Sequence, residues 1–198
     1  GVGKGSGLWC GQPKARKIGG SPGKFRDHVS QFGLDSYAVS AIGDDALGAE
    51  LLENFDAKHI NYLIETVPYP TGTVQVEIDQ AGIPQYEIKE NVAWDNIPYT
   101  ARLEALAGRT RAVCFGSLAQ RNVVSRSTIN RFLDAMPHDD GSLIVFDVNL
   151  RQGFYNKDIL CNSMKRCNIL KINDEELVTV SRMFGYPGID LQDKCWIL

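Results

Sequence analysis

Residues 143–151 read Leu143-Ile144-Val145-Phe146-Asp147-Val148-Asn149-Leu150-Arg151, an apolar run that ends in a polar cluster. A second stretch repeats the pattern, with Asn168-Ile169-Leu170-Lys171-Ile172 followed by Asn173-Asp174-Glu175-Glu176. Apolar runs rich in β-branched residues are typical of strands buried on both faces, as in a parallel sheet covered by helices. Ligands of such sheets bind beyond the carboxyl ends of the strands, so both polar clusters are predicted to line one site.

The composition of the chain narrows the class of protein. It has 198 residues, of which 43% are hydrophobic and 23% are charged, as in a globular protein with a sizeable core. The formal net charge is -3 and the basic residues are scattered, which argues against nucleic-acid binding. No apolar run reaches the roughly 18 residues needed to span a membrane, and the five cysteines form no CxxC pair. We therefore expect a cytoplasmic protein that binds neither nucleic acid nor membrane.

Helical and strand patterns alternate along the chain, which predicts an α/β architecture. Helices are predicted over 25–32, over 125–136 and after Asp45, and strands over 37–42 and 112–115. Between them, residues 73–79 and 85–89 alternate with a period of two around a turn, which is typical of a hairpin with one solvated face. We interpret this hairpin as part of a small accessory sheet, inserted at about 60–90, that forms a lid or a dimer surface.

The glycine-rich stretch Gly19-Gly20-Ser21-Pro22-Gly23-Lys24 opens the first predicted helix. Helix N-termini present unpaired N–H groups, and glycines let a ligand approach the backbone, so polar or anionic groups are candidate ligands here. A tight turn before the helix is the alternative interpretation. A P-loop is excluded, because Ile18 replaces its first glycine and Phe25 replaces the Ser or Thr that would hold magnesium.

Six short motifs occur along the chain. They are Gly19-Gly20-x-Pro22, Gly43-x-Asp45-x-x-Gly48, Thr71-Gly72-Thr73, Phe115-Gly116-Ser117-Leu118, Asp147-x-Asn149-x-Arg151 and Lys171-x-Asn173-x-x-Glu176. Together and in this order they resemble the motifs of the ribokinase-like (PfkB) carbohydrate kinases, most closely of the fructokinase branch. The resemblance implies one three-layer α/β/α domain over residues 1–198, with a mainly parallel central sheet and a small β lid. It also implies ATP-dependent phosphorylation of a sugar hydroxyl.

The resemblance further implies roles for individual residues. The sugar would be held by Gly19, Gly20, Lys24, Asp147, Asn149 and Arg151, and the phosphates of ATP by Lys171, Asn173 and Glu176. Glu176 would also organise Mg²⁺ through bound water. A homodimer formed through the β lid is expected as well. Two alternatives stay open, because Asn173 and Glu176 also fit a helix-capping arrangement and Asp147 and Arg151 also fit a structural ion pair.

The kinases that this chain resembles carry their catalytic base and a glycine-rich anion hole in a GAGD motif late in the chain. No GAGD occurs in this sequence, and its last residues, Trp196-Ile197-Leu198, are apolar. We therefore expect a domain that is incomplete at its C-terminal end, without a catalytic base of its own, and inactive as 198 residues alone. The alternative is a non-catalytic sugar- or nucleotide-binding module that uses the lid for interactions.

Overall fold

The computed structural model describes residues 8–12, 15–19, 35–78 and 84–186. The strands are β1 Leu8–Gln12, β2 Ala15–Gly19, β3 Ala38–Gly43, β4 Tyr62–Val67, β5 Val74–Ile78, β6 Pro84–Ile88, β7 Ala112–Gly116, β8 Leu143–Asp147 and β9 Ile169–Lys171. The α-helices are α1 Ala46–Ala57, α2 Ala101–Ala107, α3 Val123–Ala135, α4 Lys157–Arg166 and α5 Asp174–Phe184, and short 3-10 turns span Ala93–Asp95 and Leu118–Gln120. The predicted helix over 25–32, Gly20 and Lys24 lie outside the described residues.

The parallel strands confirm the predicted α/β class. Strand β3 pairs with β4, and β7, β8 and β9 form a second parallel sheet in that order. One central sheet was expected, but within the described ranges the parallel strands form two hydrogen-bonded sheets. Both contribute to one apolar core, in which Val39 of β3 and Leu63 of β4 join Val113, Phe115 and Phe146. Side-chain packing therefore unites the two sheets, since burial of apolar surface does not require a shared backbone ladder.

Each described α-helix begins after a polar residue whose side chain accepts a backbone N–H. These N-cap residues are Asp45, Thr100, Asn122, Asn156 and Asn173. Such caps satisfy donors that have no partner inside the helix, so they fix where the helices begin. The predicted helix after Asp45 and the one near 125–136 are confirmed as α1 and α3. In the described part of the chain, no helix combines the length and the apolar character that a membrane crossing requires.

The predicted hairpin is present as β5 and β6, which pair antiparallel from Val74↔Ile88 to Ile78↔Pro84. Strand β1 pairs with β5 in parallel and with β2 in antiparallel orientation, so the order of this mixed sheet is β2-β1-β5-β6. Strand β4 lies beside β3 instead, so only part of the segment at about 60–90 belongs to the hairpin. Its use as a lid stays a prediction.

A second, smaller apolar cluster lies where the hairpin joins the rest of the chain. We call this region the hairpin root, which comprises residues 71–74 and 88–95. Val74, Ile88, Val92 and Trp94 of the root pack there with Leu118, and Phe154 covers them in part. A Cβ atom on Gly72 would lie 2.2 Å from Trp94 Nε1, so glycine is required for this close approach. The root is thereby packed against the turns that follow β7 and β8.

Candidate functional site

The segment after β8 leaves the sheet in a hydrogen-bonded turn. The Val148 N–H donates to the Lys171 carbonyl oxygen at 3.0 Å, so the two chain segments stay together past Asp147. The buried Ser117 hydroxyl donates to the Val148 carbonyl oxygen at 2.7 Å. Asn149 has a φ of 38°, in the left-handed region that asparagine tolerates better than most residues. The backbone that carries Asn149 and Arg151 is therefore fixed at the carboxyl end of β8.

Asp147 and Lys171 face each other at the ends of β8 and β9. They are register partners, and Lys171 Nζ lies 3.0 Å from Asp147 Oδ1. The Lys171 side chain is 68% exposed, whereas that of Asp147 is 17% exposed. A solvent-exposed ion pair contributes only about 0–1 kcal/mol, so the ammonium group of Lys171 can change partners at little cost. Lys171 can therefore bind an anion at this edge.

The sequence left open an ion pair between Arg151 and Asp147, but the structure places the Arg151 side chain elsewhere. Its side chain is exposed, and Nη1 donates to the carbonyl oxygen of the preceding Leu150 at 3.0 Å. The cation 3.0 Å from Asp147 Oδ1 is Lys171. The guanidinium group of Arg151 thus lies at the surface beside the turn, where a ligand can reach it.

Glu176 joins the start of α5 to the turn after β8. Its side chain is 8% exposed, and Oε1 accepts the Leu150 N–H at 2.9 Å. Its Oε2 accepts the Asn173 N–H at 3.2 Å, while Asn173 Oδ1 accepts the Glu176 N–H at 2.8 Å. The capping arrangement that the sequence left open is therefore present. A carboxylate has about four lone-pair sites, so each oxygen retains capacity for a further donor.

These contacts bring the two polar clusters of the sequence to one edge of the β7-β8-β9 sheet. We call this edge the β8–β9 rim, which comprises residues 147–151 and 171–176. It contains Asp147, Asn149, Arg151, Lys171, Asn173 and Glu176, the predicted site residues of both clusters. Gly19 is described only through its backbone, as the last residue of β2 paired with Leu8, and Gly20 and Lys24 lie outside the described residues.

A second set of polar contacts fixes the start of α1 to the hairpin root. Asp45 Oδ1 accepts the Thr71 hydroxyl at 2.7 Å and the Gly48 N–H at 2.8 Å, and its Oδ2 accepts the Thr71 N–H at 2.8 Å. A Cβ atom on Gly43 would lie 2.4 Å from the Tyr69 carbonyl oxygen, so the backbones meet closely here. Burial acts to raise the pKa of Asp45, but hydrogen bonds from Thr71, Gly48 and Leu47 outweigh it and lower the pKa below 3.8.

Arg121 forms a third polar cluster, which the sequence did not single out. Its Nε and Nη2 donate to the two carboxylate oxygens of Asp95 at 2.7 and 2.8 Å, and Nη2 also donates to the Lys89 carbonyl oxygen at 2.5 Å. The guanidinium carbon lies 4.1 Å from the Trp94 ring centre and 4.5 Å from that of Phe154. Sequence patterns do not mark such an arginine, because long cationic side chains are mostly exposed.

Among the residues that the structure describes, no group of three or more His, Cys, Asp or Glu side chains lies close enough to hold a metal ion. Magnesium in phosphoryl-transfer enzymes is commonly held by one or two carboxylates, by water and by the phosphates of the substrate. Glu176 offers one carboxylate to such an ion. This fits that mode, in which the protein supplies few ligands directly.

Similarity to known proteins extends over most of the chain. A family model described as pfkB family carbohydrate kinase matches residues 18–191. An uncharacterized sugar kinase of Pyrococcus horikoshii is 27% identical over 168 residues, which cover 81% of this chain and 53% of that protein. An ATP-dependent 6-phosphofructokinase of Thermoanaerobacterium thermosaccharolyticum is 26% identical over 174 residues, covering 85% and 52%. The chain thus spans about half the length of the curated relatives it matches.

Solved structures share the fold. The Pyrococcus horikoshii sugar kinase in complex with ATP has a TM-score of 0.71 at 25% identity, with 88% of this chain and 63% of that chain covered. A fructokinase of Xylella fastidiosa with bound ATP has a TM-score of 0.75 at 15% identity, with 96% and 65% covered. A protein of E. coli described as a ribokinase II, solved with ATP and Mg²⁺, has a TM-score of 0.71 at 17% identity, with 93% and 60% covered.

Proposed function

Because this chain belongs to the pfkB family of carbohydrate kinases, we propose that the protein transfers the γ-phosphoryl group of ATP to a sugar hydroxyl, as a fructokinase does. The observation that carries the proposal is the hydrogen bond from the Leu150 N–H to Glu176 Oε1 at 2.9 Å. It joins the segment with Asn149 and Arg151 to the helix start with Asn173 and Glu176. Phosphoryl transfer depends on such proximity, since the acceptor must lie in line with the phosphoryl group.

Each rim residue has a role in this proposal that fits its surroundings. Lys171, whose ammonium group is exposed, neutralises negative charge on the phosphates of ATP. Asp147 accepts hydrogen bonds from sugar hydroxyls, and the amide of Asn149 can both accept and donate them. Arg151 binds the ligand from the exposed side of the turn. The backbone of Gly19 and Gly20 and the side chain of Lys24 complete the sugar side.

Glu176 is the candidate for organising magnesium. Its two oxygens each accept one backbone N–H, and their remaining lone pairs can accept water molecules of a hydrated ion. When bound, the ion neutralises charge on the phosphates of ATP. Asn173 holds Glu176 in place through the reciprocal cap, so its role at the phosphate side is to fix the carboxylate.

Three further parts of the proposal concern the whole protein. The hairpin β5–β6 closes over the sugar as a lid and also forms a homodimer interface. The protein works in the cytoplasm. The catalytic base lies in a GAGD motif outside this sequence, so the 198-residue chain by itself is inactive.

The experiment that tests the proposal measures ADP formation by the full-length protein with Mg-ATP and a panel of sugars. Fructose, ribose and fructose 6-phosphate serve as acceptors, and mass spectrometry identifies the phosphorylated product. We expect sugar-dependent ADP formation, with fructose as the best acceptor of the three. If a sugar binds but no phosphorylated sugar forms, the protein is the non-catalytic binding module instead.

A further inference from the structure

Arg121 contacts both the hairpin root and the chain that follows the β8–β9 rim. Its Nε and Nη2 donate to the carboxylate of Asp95, and Nη2 also donates to the Lys89 carbonyl oxygen. Both partners belong to the root. Because these hydrogen bonds lie in the plane of the guanidinium group, its faces can still stack on aromatic rings.

Phe154 is an aromatic contact of Arg121 that belongs to the chain after β8. The guanidinium carbon lies 4.5 Å from the centre of the Phe154 ring and 4.1 Å from that of Trp94, a root residue. Phe154 also packs on the apolar cluster of the root. A cation–aromatic contact is stronger when it is desolvated, and the Arg121 side chain is only 6% exposed. Arg121 therefore ties Phe154 to the root.

Phe154 closes a turn that begins at Arg151. Its N–H donates to the Arg151 carbonyl oxygen at 3.1 Å. Within this turn Gln152 has a φ of 46°, in the left-handed region that side chains rarely adopt, and such a backbone persists where its surroundings hold it. The Arg151 side chain is exposed and donates to the neighbouring Leu150 carbonyl oxygen. Its position therefore depends on the backbone of the turn.

The root and the turn border one cavity of about 390 Å³. Glu90, Asn91 and Gly153 line it together with Arg121 and Phe154. Open space supplies no packing contacts, so fewer atoms hold the two segments together here than in a close-packed core. The contact between Arg121 and Phe154 therefore matters more for the position of the turn.

We propose that Arg121 is a positioning residue for the rim: anchored on the hairpin root, it holds Phe154 and thereby the turn that presents Arg151 to the sugar. Arg121 acts through Phe154 and does not itself contact the ligand. The inference rests on the proposed function, in which Arg151 binds the sugar. Loosening the contact weakens sugar binding and leaves kcat nearly unchanged, because the lost contact serves the ground state and the transition state alike.

Steady-state phosphorylation by the full-length protein at saturating Mg-ATP tests this role. Phe154→Leu keeps an apolar side chain but removes the ring, and is expected to raise KM for the sugar about three- to tenfold with kcat changed less than about twofold. Phe154→Tyr keeps the ring and is expected to behave like the unaltered protein. Arg121→Lys keeps a charge beside Asp95 but loses the planar group, so it is expected to raise KM at least as much as Phe154→Leu.

Hydrogen exchange measures the turn directly and needs no activity. The peptide that covers residues 150–156 is expected to exchange several times faster in Phe154→Leu and Arg121→Lys, because the bond from the Phe154 N–H opens more often. Arg131→Lys makes the matched change at another cation–aromatic contact, where the guanidinium carbon lies 3.8 Å from the Tyr99 ring centre. It is expected to leave both KM and this exchange unchanged.

Leu51→Ala separates positioning from general destabilisation. Leu51 is buried in α1 outside both apolar clusters, so its truncation lowers stability and is expected to leave KM unchanged. Unaltered KM and exchange in Phe154→Leu and Arg121→Lys would overturn the proposal. So would an equal rise of KM in Leu51→Ala, or a raised KM in Phe154→Tyr. If the full-length protein phosphorylates no sugar, the proposed function fails, and exchange at residues 150–156 alone decides whether Arg121 holds the turn.

Discussion

The β8–β9 rim and the hairpin root both contain charged side chains in hydrogen-bonded ion pairs, but the two ion pairs lie in opposite environments. At the rim, Lys171 is 68% exposed in its ion pair with Asp147. At the root, the side chain of Asp95 is only 2% exposed, and that of its partner Arg121, which follows the turn Leu118–Gln120, is 6% exposed. An exposed charge is easily redirected to a ligand, whereas a buried pair is strongly destabilised when one partner is lost. The rim therefore suits ligand binding, and the root suits fixing the hairpin to the domain.

The largest expected change in the free energy of unfolding comes from the ion pair at the root. Arg121→Met leaves the buried Asp95 carboxylate without its partner, which lowers the free energy of unfolding by about 3–5 kcal/mol. Urea unfolding of the variant measures this change. Arg102→Met removes an equally charged side chain that is 70% exposed and lies 3.9 Å from Glu65, and it serves as the control. Equal losses in both variants would contradict the assigned difference between buried and exposed pairs.

Glu176 is the one polar rim residue that is buried, so its replacement is expected to destabilise the fold, as at the root. Glu176→Ala leaves the N–H groups of Leu150 and Asn173 without acceptors, which lowers the free energy of unfolding by about 2–3 kcal/mol. Its exposed neighbour Glu175 offers a matched change, because Glu175→Ala adds no unpaired donor. The same urea denaturation measures both variants. Similar curves for the two would show that the Leu150–Glu176 bond adds nothing to stability.

The stability of the protein at acid pH tests the contact between Asp45 and the hairpin root. Since its pKa in the folded protein is lowered, its contribution to stability is complete above the ordinary value of 3.8 and is lost as the pH falls through the lowered pKa. Asp45→Asn keeps the helix cap but loses an acceptor for Thr71, which costs about 1–2 kcal/mol near neutral pH. The difference in the free energy of unfolding between Asp45→Asn and the unaltered protein should become smaller as the pH falls below 3.8, the ordinary pKa of an aspartate.

The control for Asp45→Asn is Asp44→Asn, the same change at the exposed neighbouring residue. Urea unfolding at neutral pH and at about pH 3 measures the four combinations of variant and pH. A loss for Asp45→Asn that stays constant between the two pH values would contradict a lowered pKa at this carboxyl group.

The smallest effect on stability is expected for the exposed rim lysine. Lys171→Met changes the free energy of unfolding by less than about 1 kcal/mol. In the proposed kinase, the same change lowers sugar phosphorylation by the full-length protein about a hundredfold, because a positive charge near the transferred group is lost. Lys165→Met, at an exposed position in the last turn of α4, is expected to change neither quantity. Unaltered phosphorylation by Lys171→Met would remove this residue from the site.

Much of the fold could be predicted from local patterns. Apolar runs identified β7, β8 and β9, alternation identified the hairpin, and the cap at Asp45 identified the start of α1. Strand β4 and helices α2 and α4 were not identified. In α4 the polar residues outnumber the apolar ones, and buried Ile159 and Leu160 are adjacent rather than spaced by a turn. The tertiary contacts of these elements outweigh their weak local patterns.

The candidate site was predicted less completely than the fold. The sequence grouped Asp147, Asn149 and Arg151 with Lys171, Asn173 and Glu176, and these six residues do meet at one edge of the β7-β8-β9 sheet. Their bonding partners could not be predicted, since Asp147 pairs with Lys171 and Glu176 accepts the Leu150 N–H. Pairing depends on side-chain geometry across strands, which one-dimensional spacing does not specify.

By itself, the sequence determined that this is an α/β protein with polar clusters at its strand ends, because the burial of apolar residues follows directly from their order along the chain. Only the tertiary structure decided which of its charges are buried. Lys171 ends β9 and Arg121 ends the short turn after β7, and both are basic. Packing against Trp94 and Phe154 removes Arg121 from solvent, while Lys171 stays exposed. The physical reason is that burial of a long charged side chain requires partners from distant segments, and only folding brings those partners together.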